Sequence, residues 1–334
     1  MTPSPWAPWI WPFVTAPESA AQPDACWATP NEVVLELESL RLRRFGDPAA
    51  SGPATLVVAP YAIHGATVAD FAEGHSLMRR LRDAGVPGLH LLEWATATPQ
   101  MRFHGVDDQL AALNVAVDTL GGTARLAGIC QGGWQSLLFA ARFPAKVERL
   151  VLAGAPVDCD AAPSGIVQAT RGMAPAALDA FVAWSDGVVS GSRMLQFLET
   201  SSLQSADVEE VFQAARPDLA PAFEAWNART LDLPGRYWLQ TAEWLFRENR
   251  LARNTFPALG RLADLRDVRC PLFVLAGRDD VIAPAPQALA AARLVGAPAR
   301  SVHAVTAPCG HLALFMGART LADEWGRIAA FLRA

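Results

Sequence analysis

The run Gly128-Ile129-Cys130-Gln131-Gly132-Gly133 sets a cysteine among small neighbours just where an apolar run, RLAGI (125–129), gives way to a helical period, GWQSLLFAARF (133–143). A side chain presented at so sharp a strand-to-helix bend sits on a strained backbone. The residues two before and two after it must then be small, to clear the adjoining strand and helix. Gly128 and Gly132 meet that need. Cys130 also stands at a helix N-terminus, where unpaired N–H groups and the helix dipole favour the thiolate, the form of sulfur that attacks. The chemistry expected is nucleophilic acyl transfer, with the amide of Gln131 giving half of an oxyanion hole. The other half is expected from the loop after TLVVAP (55–60), around Tyr61, Ala62 and Ile63.

Such a sulfur needs a base, and the base needs an orienting acid. PLFVLAGRDDVIAP supplies a strand and a turn with two aspartates, and Asp280, three residues after Gly277, is favoured over Asp279, which reads as a solvated turn residue. SVHAVTAPCGHLALF then places His311 in a Pro–Gly loop just before the final helix. Of the six histidines, His311 alone stands at that loop; His303 lies within the preceding strand, and His75, His90 and His104 are explained by turns, helix ends or sheet surface. His64, in YAIHG, borders the expected oxyanion hole, and it and Trp134, in the helix after the nucleophile, are the candidate substrate contacts. Cys309 reads as packing. Histidines and carboxylates do not recur at metal-ligand spacing, and no glycine-rich loop ends in G-K-[ST], so neither a metal centre nor a P-loop is expected.

These residues must be held by a sheet. TLVVAP (55–60), LHLLEW (89–94), RLAGI (125–129), RLVLAG (149–154), PLFVLAG (271–277) and SVHAVT (301–306) are short apolar runs flanked by turn residues, the pattern of strands covered on both faces. VVLELESLRLRRF (33–45) alternates around Ser39 and predicts a hairpin. Helical periods at 75–85, 106–122, 133–143 and 321–333 lie between or after them, so strand and helix alternate, as in a parallel, doubly wound sheet. With nucleophile, acid and histidine in that chain order, the expected class is α/β, specifically the α/β-hydrolase fold. The alternation breaks over 157–265, which predicts an inserted, mainly helical cap rich in aromatics: Trp184, Trp226, Trp238, Trp244, Phe181, Phe197 and Phe223. The organisation expected is an N-terminal arm (1–30), a core (31–156 and 266–334) and the cap (157–265).

Composition excludes several classes. Hydrophobic residues make up 51% of the 334 and charged residues 18%, too apolar for a disordered chain. A net charge of −5, with Lys146 the single lysine, gives no footprint for nucleic acid. Five scattered cysteines without a C-x-x-C pair suggest a reducing compartment. The first residues are apolar but broken by prolines and lack a basic start, a poor signal peptide. Trp6, Trp9, Trp11 and Phe13 are expected to pack on the protein's own core. No uninterrupted apolar stretch predicts a transmembrane span.

The chain resembles the polyhydroxyalkanoate synthases, in particular the short catalytic subunit of the two-component class. The resemblance runs from about residue 55 to the C-terminus and rests on GICQGG, on SLMRRLRDAG followed by LHLLEW, on FPAKVERLVLAGAPVD, and on PLFVLAGRDDVIAP with CGHLALFMG. That family usually has histidine directly after the acid, where this chain has Val281. The resemblance implies that Cys130 is acylated by a 3-hydroxyacyl-coenzyme A thioester, that Asp280 is the acid and His311 the base, and that no cofactor is needed beyond the coenzyme A of the substrate. It further implies a growing polyester chain as partner, a second subunit or second copy, and a cytoplasmic location at the surface of polyester granules. A hydrolase with the same three residues (a thioesterase, a polyhydroxyalkanoate depolymerase or a dienelactone-hydrolase-like enzyme) stays open as the alternative, as does a catalytically silent granule protein.

Overall fold

Runs of five or six branched, apolar residues are too short for stable helices and bury both faces when paired in parallel. In the computed structural model, which describes residues 27–47, 52–200 and 219–334, they form one eight-stranded sheet. Its strands are β1 (Glu32–Glu36), β2 (Leu40–Arg44), β3 (Ala54–Val58), β4 (Leu89–Trp94), β5 (Ala124–Ile129), β6 (Val147–Ala153), β7 (Leu272–Gly277) and β8 (Val302–Ala307). The spatial order is β1-β2-β4-β3-β5-β6-β7-β8. β1 and β2 are the antiparallel hairpin expected around Ser39, and β2 runs antiparallel to β4. Every other pairing in the sheet is parallel.

β3, β5 and β7 are buried from end to end. β8 departs from the expectation of a strand covered on both faces, because it closes the sheet and has only β7 beside it; His303, Ala304 and Thr306 are exposed. Helices α1 (Leu77–Asp83), α2 (Val106–Thr119) and α3 (Gln131–Arg142) fall at the predicted helical periods. Between β6 and β7 come α4 (Gly165–Gly172), α5 (Pro175–Trp184), α6 (Gly191–Thr200), α7 (Ala220–Asn227) and α8 (Gly235–Gln240), and α8 runs on into a π-helical stretch, Thr241–Arg247. The same stretch also holds a short ribbon that sequence reading did not foresee, Val188–Val189 paired with Leu233–Pro234. After β8 the last helix is α9 (Ala318–Arg333).

The core lies in two layers. On one face of the sheet α1 and α9 pack through Leu77, Leu81, Trp325 and Ile328. On the other, α2 and α3 pack through Leu110, Leu113 and Leu138, and the inserted stretch adds Val167, Tyr237, Leu245 and Phe246 to that cluster. The ends of the insertion are tied together by Asn249, whose Oδ1 accepts the Cys159 N–H (2.9 Å) while its Nδ2 donates to Asp158 (2.8 Å) and Asp160 (2.9 Å). Among the described residues no helix is long and apolar enough to cross a membrane. Trp6, Trp9, Trp11 and Phe13, and with them most of the expected arm, lie outside the described residues.

Candidate active site

Cys130 joins β5 to α3 at φ 50°, ψ −122°, a region that non-glycine residues rarely occupy. The bend is locked by backbone hydrogen bonds: the Cys130 N–H donates to Ala153 O of β6 (2.8 Å) and the Gly133 N–H to Cys130 O (2.9 Å). Its glycines are steric necessities. A Cβ on Gly128 would fall 2.4 Å from Gly132 O, one on Gly132 would fall 2.1 Å from Val58 O, and one on Gly133 would fall 2.4 Å from the Ala155 Cβ. The Gly132 contact has a second meaning. It presses the first turn of α3 against the end of β3, so the loop leaving β3 begins beside the sulfur.

Asp280 and His311 follow β7 and β8, so the three expected groups stand at the C-terminal edge of the parallel sheet, where such sheets place their sites. Asp280 Oδ2 lies 2.7 Å from His311 Nδ1. A carboxylate only accepts, so Nδ1 carries a hydrogen and Nε2 is left to face the sulfur. Asp280 Oδ1 accepts the N–H groups of Ile282 (2.9 Å) and Ala283 (2.8 Å), which fix the carboxylate. Its side chain has no exposed surface. Asp279 instead pairs with Arg278 at the surface. The His311 ring is buried, and the Cys130 sulfur is near enough to bear on its ionisation. Burial, the largest influence, pushes the imidazole pKa down. The Asp280 charge, the Cys130 sulfur and hydrogen bonds to both outweigh it and hold the group well above the ordinary 6.5.

The loop after β3 carries Ala62 and Ile63, both partly exposed. His64 stacks on Trp226 of α7 (4.3 Å between centroids) and donates from Nε2 to Asn227 O (3.0 Å). Burial drives its pKa down to about 4, against hydrogen bonding to Asn227 that raises it. Trp134, expected at the substrate, is instead wholly buried, packed against Tyr237 and Phe256 with its indole N–H donating to Gln131 Oε1 (3.3 Å). Of the aromatics in the insertion, Trp226 and Phe223 are buried together against Phe71, Trp244 packs on Phe256, and Trp184 is 68% exposed. The side chain of Phe197 lies outside the described residues.

Tyr237, in α8, escaped sequence reading. It is fully buried; its hydroxyl lies 3.1 Å from Gln131 Oε1 and 3.3 Å from Tyr61 O, and accepts from Gln135 Nε2 (3.0 Å). The one available signal was scarcity. The chain has two tyrosines, and these two stack on each other at the site (5.1 Å).

Comparison with known proteins gives both sequence and structural matches. Residues 213–334 match the family model described as PHB de-polymerase C-terminus. Over 91% of its length the chain is 28% identical to "Poly(3-hydroxyalkanoate) polymerase subunit PhaC" of Synechocystis sp., covering 84% of that protein. The protein of the same name from Haloferax mediterranei is 23% identical over 90% of the chain, which spans 63% of that relative's length. Among solved structures, the enol-lactonase from Burkholderia xenovorans LB400 superposes with a TM-score of 0.57 at 14% identity, over 91% of this chain and 99% of that one. The structural likeness establishes an α/β-hydrolase fold, and the matches in sequence show that the chain is similar to polyhydroxyalkanoate polymerase subunits.

Proposed function

We propose that the chain is a cysteine-nucleophile acyltransferase acting on 3-hydroxyacyl-coenzyme A thioesters, with Cys130 as nucleophile, His311 as base and Asp280 as its orienting acid. The observation that carries this reading is a cysteine held at positive φ on a strand-to-helix bend, at the same edge of the sheet as a buried imidazole anchored 2.7 Å from a buried carboxylate.

In this mechanism His311 takes the Cys130 proton and the sulfur attacks the thioester carbonyl. The oxyanion is held by the backbone amides of Gln131 and of Ala62 or Ile63. The carbonyl reforms, the coenzyme A thiolate leaves with the proton from His311, and an acyl-Cys130 thioester remains. Exchange of one thioester for another is nearly thermoneutral, which suits a sulfur nucleophile to this donor. His311 next removes the proton from the 3-hydroxyl of an acyl unit, whose oxygen attacks the acyl-enzyme; an oxygen ester forms and the Cys130 sulfur is released. Asp280 steadies the imidazolium in both halves. No further cofactor enters the scheme. The inserted cap (157–265), with His64 beside the hole, would exclude water and so favour transfer over hydrolysis. Relatives named as polymerase subunits support a second polypeptide as partner, and a polyester product supports a cytoplasmic place at the granule surface.

A hydrolase using the same residues is the second reading, favoured by the match of 213–334 to a model named for a depolymerase and by the lactonase likeness. Incubation of the purified chain with 3-hydroxybutyryl-coenzyme A separates the two. Free coenzyme A together with polymer is expected. Coenzyme A with free hydroxy acid and no polymer would make the chain a thioesterase, and no coenzyme A from a fully folded chain would remove both the synthase and the thioesterase.

A further inference from the structure

We propose that the Tyr237 hydroxyl is a positioning group that ties the two halves of the oxyanion hole to each other; the inference rests on the acyl-transfer reading of this site. One half of the hole is the residue after the nucleophile. The Gln131 side chain curls back so that Oε1 meets the Tyr237 hydroxyl (3.1 Å) and the Trp134 indole N–H (3.3 Å). The other half is the loop after β3, and the same hydroxyl lies 3.3 Å from the carbonyl of Tyr61, the residue directly before Ala62. The peptide whose oxygen is Tyr61 O has as its nitrogen that of Ala62. A hydrogen bond to that oxygen therefore fixes the plane, and so the aim, of the Ala62 N–H.

The surroundings support a fixed hydroxyl. Tyr237 is fully buried, and Gln135 donates to its oxygen (3.0 Å), so the single phenolic hydrogen is shared between Gln131 Oε1 (3.1 Å) and Tyr61 O (3.3 Å) in a three-centre bond. Burial above all keeps the phenol neutral far beyond its usual range. The ring is clamped in a stack of Trp94, Tyr61, Tyr237 and Trp134, with centroids 5.3, 5.1 and 6.5 Å apart. Trp94 anchors the far end by donating to Ala59 O (3.1 Å). The sulfur of Cys130 is near enough to Tyr237 to act on its ionisation. Tyr237 comes from the insertion, so the hole draws on three separated segments of chain: the loop after β3, the start of α3, and α8.

Tyr237→Phe keeps the ring and removes the tie. Expected are a drop in kcat for coenzyme A release of about 10- to 100-fold with KM within about twofold, and an unchanged rate of Cys130 alkylation by iodoacetamide. A second measurement does not depend on the acyl donor. Butyraldehyde adds the Cys130 S–H across its C=O to give a hemithioacetal whose oxygen occupies the hole, and this protects the sulfur from iodoacetamide. The variant should need about tenfold more aldehyde for the same protection. Unchanged protection, or a loss matched by equal falls in alkylation rate and melting temperature, would overturn the proposal. A wild-type chain that is protected by aldehyde yet releases no coenzyme A would instead count against the acyl-donor reading alone.

Discussion

Asp280 commits both of its oxygens. Oδ1 is taken by two backbone N–H groups and Oδ2 by His311 Nδ1, with no exposed side-chain surface. Asn at this position can satisfy Ile282 and Ala283 with its oxygen, but then turns its NH2 toward Nδ1. The imidazole must accept there and carry its hydrogen on Nε2, the wrong tautomer for taking a proton from Cys130. Asp280→Asn is therefore expected to lower kcat by about 10³-fold with little change in KM, measured as coenzyme A release. The same substitution has a signature in stability. The folded imidazole holds its proton above the ordinary 6.5, so its contribution is present below about pH 6.5 and is lost as pH rises through the raised value. Urea unfolding of the wild type should weaken over that range, and Asp280→Asn should flatten the slope. Equal slopes in the two proteins would mean that Asp280 does not hold the imidazolium.

The bend between β5 and α3 shows at the scale of an element why some features were legible in sequence and others were not. Its demands are local. Three glycines are needed because backbone at Gly128 and Gly132, and the rigid Ala155 Cβ at Gly133, occupy the space where their Cβ atoms would go. Gly132→Ala is accordingly expected to cost at least about 3 kcal/mol in urea unfolding, because the Val58 carbonyl 2.1 Å away belongs to a buried strand. Gly172→Ala is the control. It ends α4 with nothing within 4 Å of the added carbon, and should be neutral or gain up to about 1 kcal/mol. A tolerated Gly132→Ala would show that the bend is looser than its contacts require. The parallel strands were legible for a related reason, since burial on both faces leaves an unbroken apolar run. β8 has such a run too, but its place at the edge is a property of sheet order, which no local pattern records. Trp134 misled in the same way. On a helix after a nucleophile, an aromatic that faces a cleft and one that packs under the insertion read alike until the chain between β6 and β7 is seen folded over it. Tyr237 lies more than a hundred residues from Cys130 in sequence, and only the fold brings its hydroxyl to Gln131.

At the scale of the molecule, the insertion is joined to the loop after β3 not only at Tyr61 but also around His64. His64 stacks on Trp226 and donates to Asn227 O, Thr230 pairs with His64 through the backbone, and the Leu231 N–H donates to Ile63 O (2.8 Å). Packing this histidine neutral makes the junction sensitive to acid. Burial is the larger influence and lowers its pKa to about 4, against 6.5 for the free side chain, so between these values the unfolded chain binds a proton that the folded chain refuses. The contribution of His64 is thus present above about pH 6.5 and lost as pH falls toward 4, the opposite sense to His311, which places the best stability from this pair near the ordinary histidine value. The loss from His64 by pH 5 should be at most about 2 kcal/mol. It should appear first as faster hydrogen exchange at the Leu231 amide, because protonation breaks the stack at the junction before it disturbs the sheet. His64→Gln keeps a donor to Asn227 O but cannot titrate, and should remove the acid slope in urea unfolding while leaving stability at pH 7 within about 1 kcal/mol of wild type. If wild type and His64→Gln lose stability in parallel between pH 6.5 and 5, the acid sensitivity of the molecule lies elsewhere and this contact is not its pH-dependent hinge.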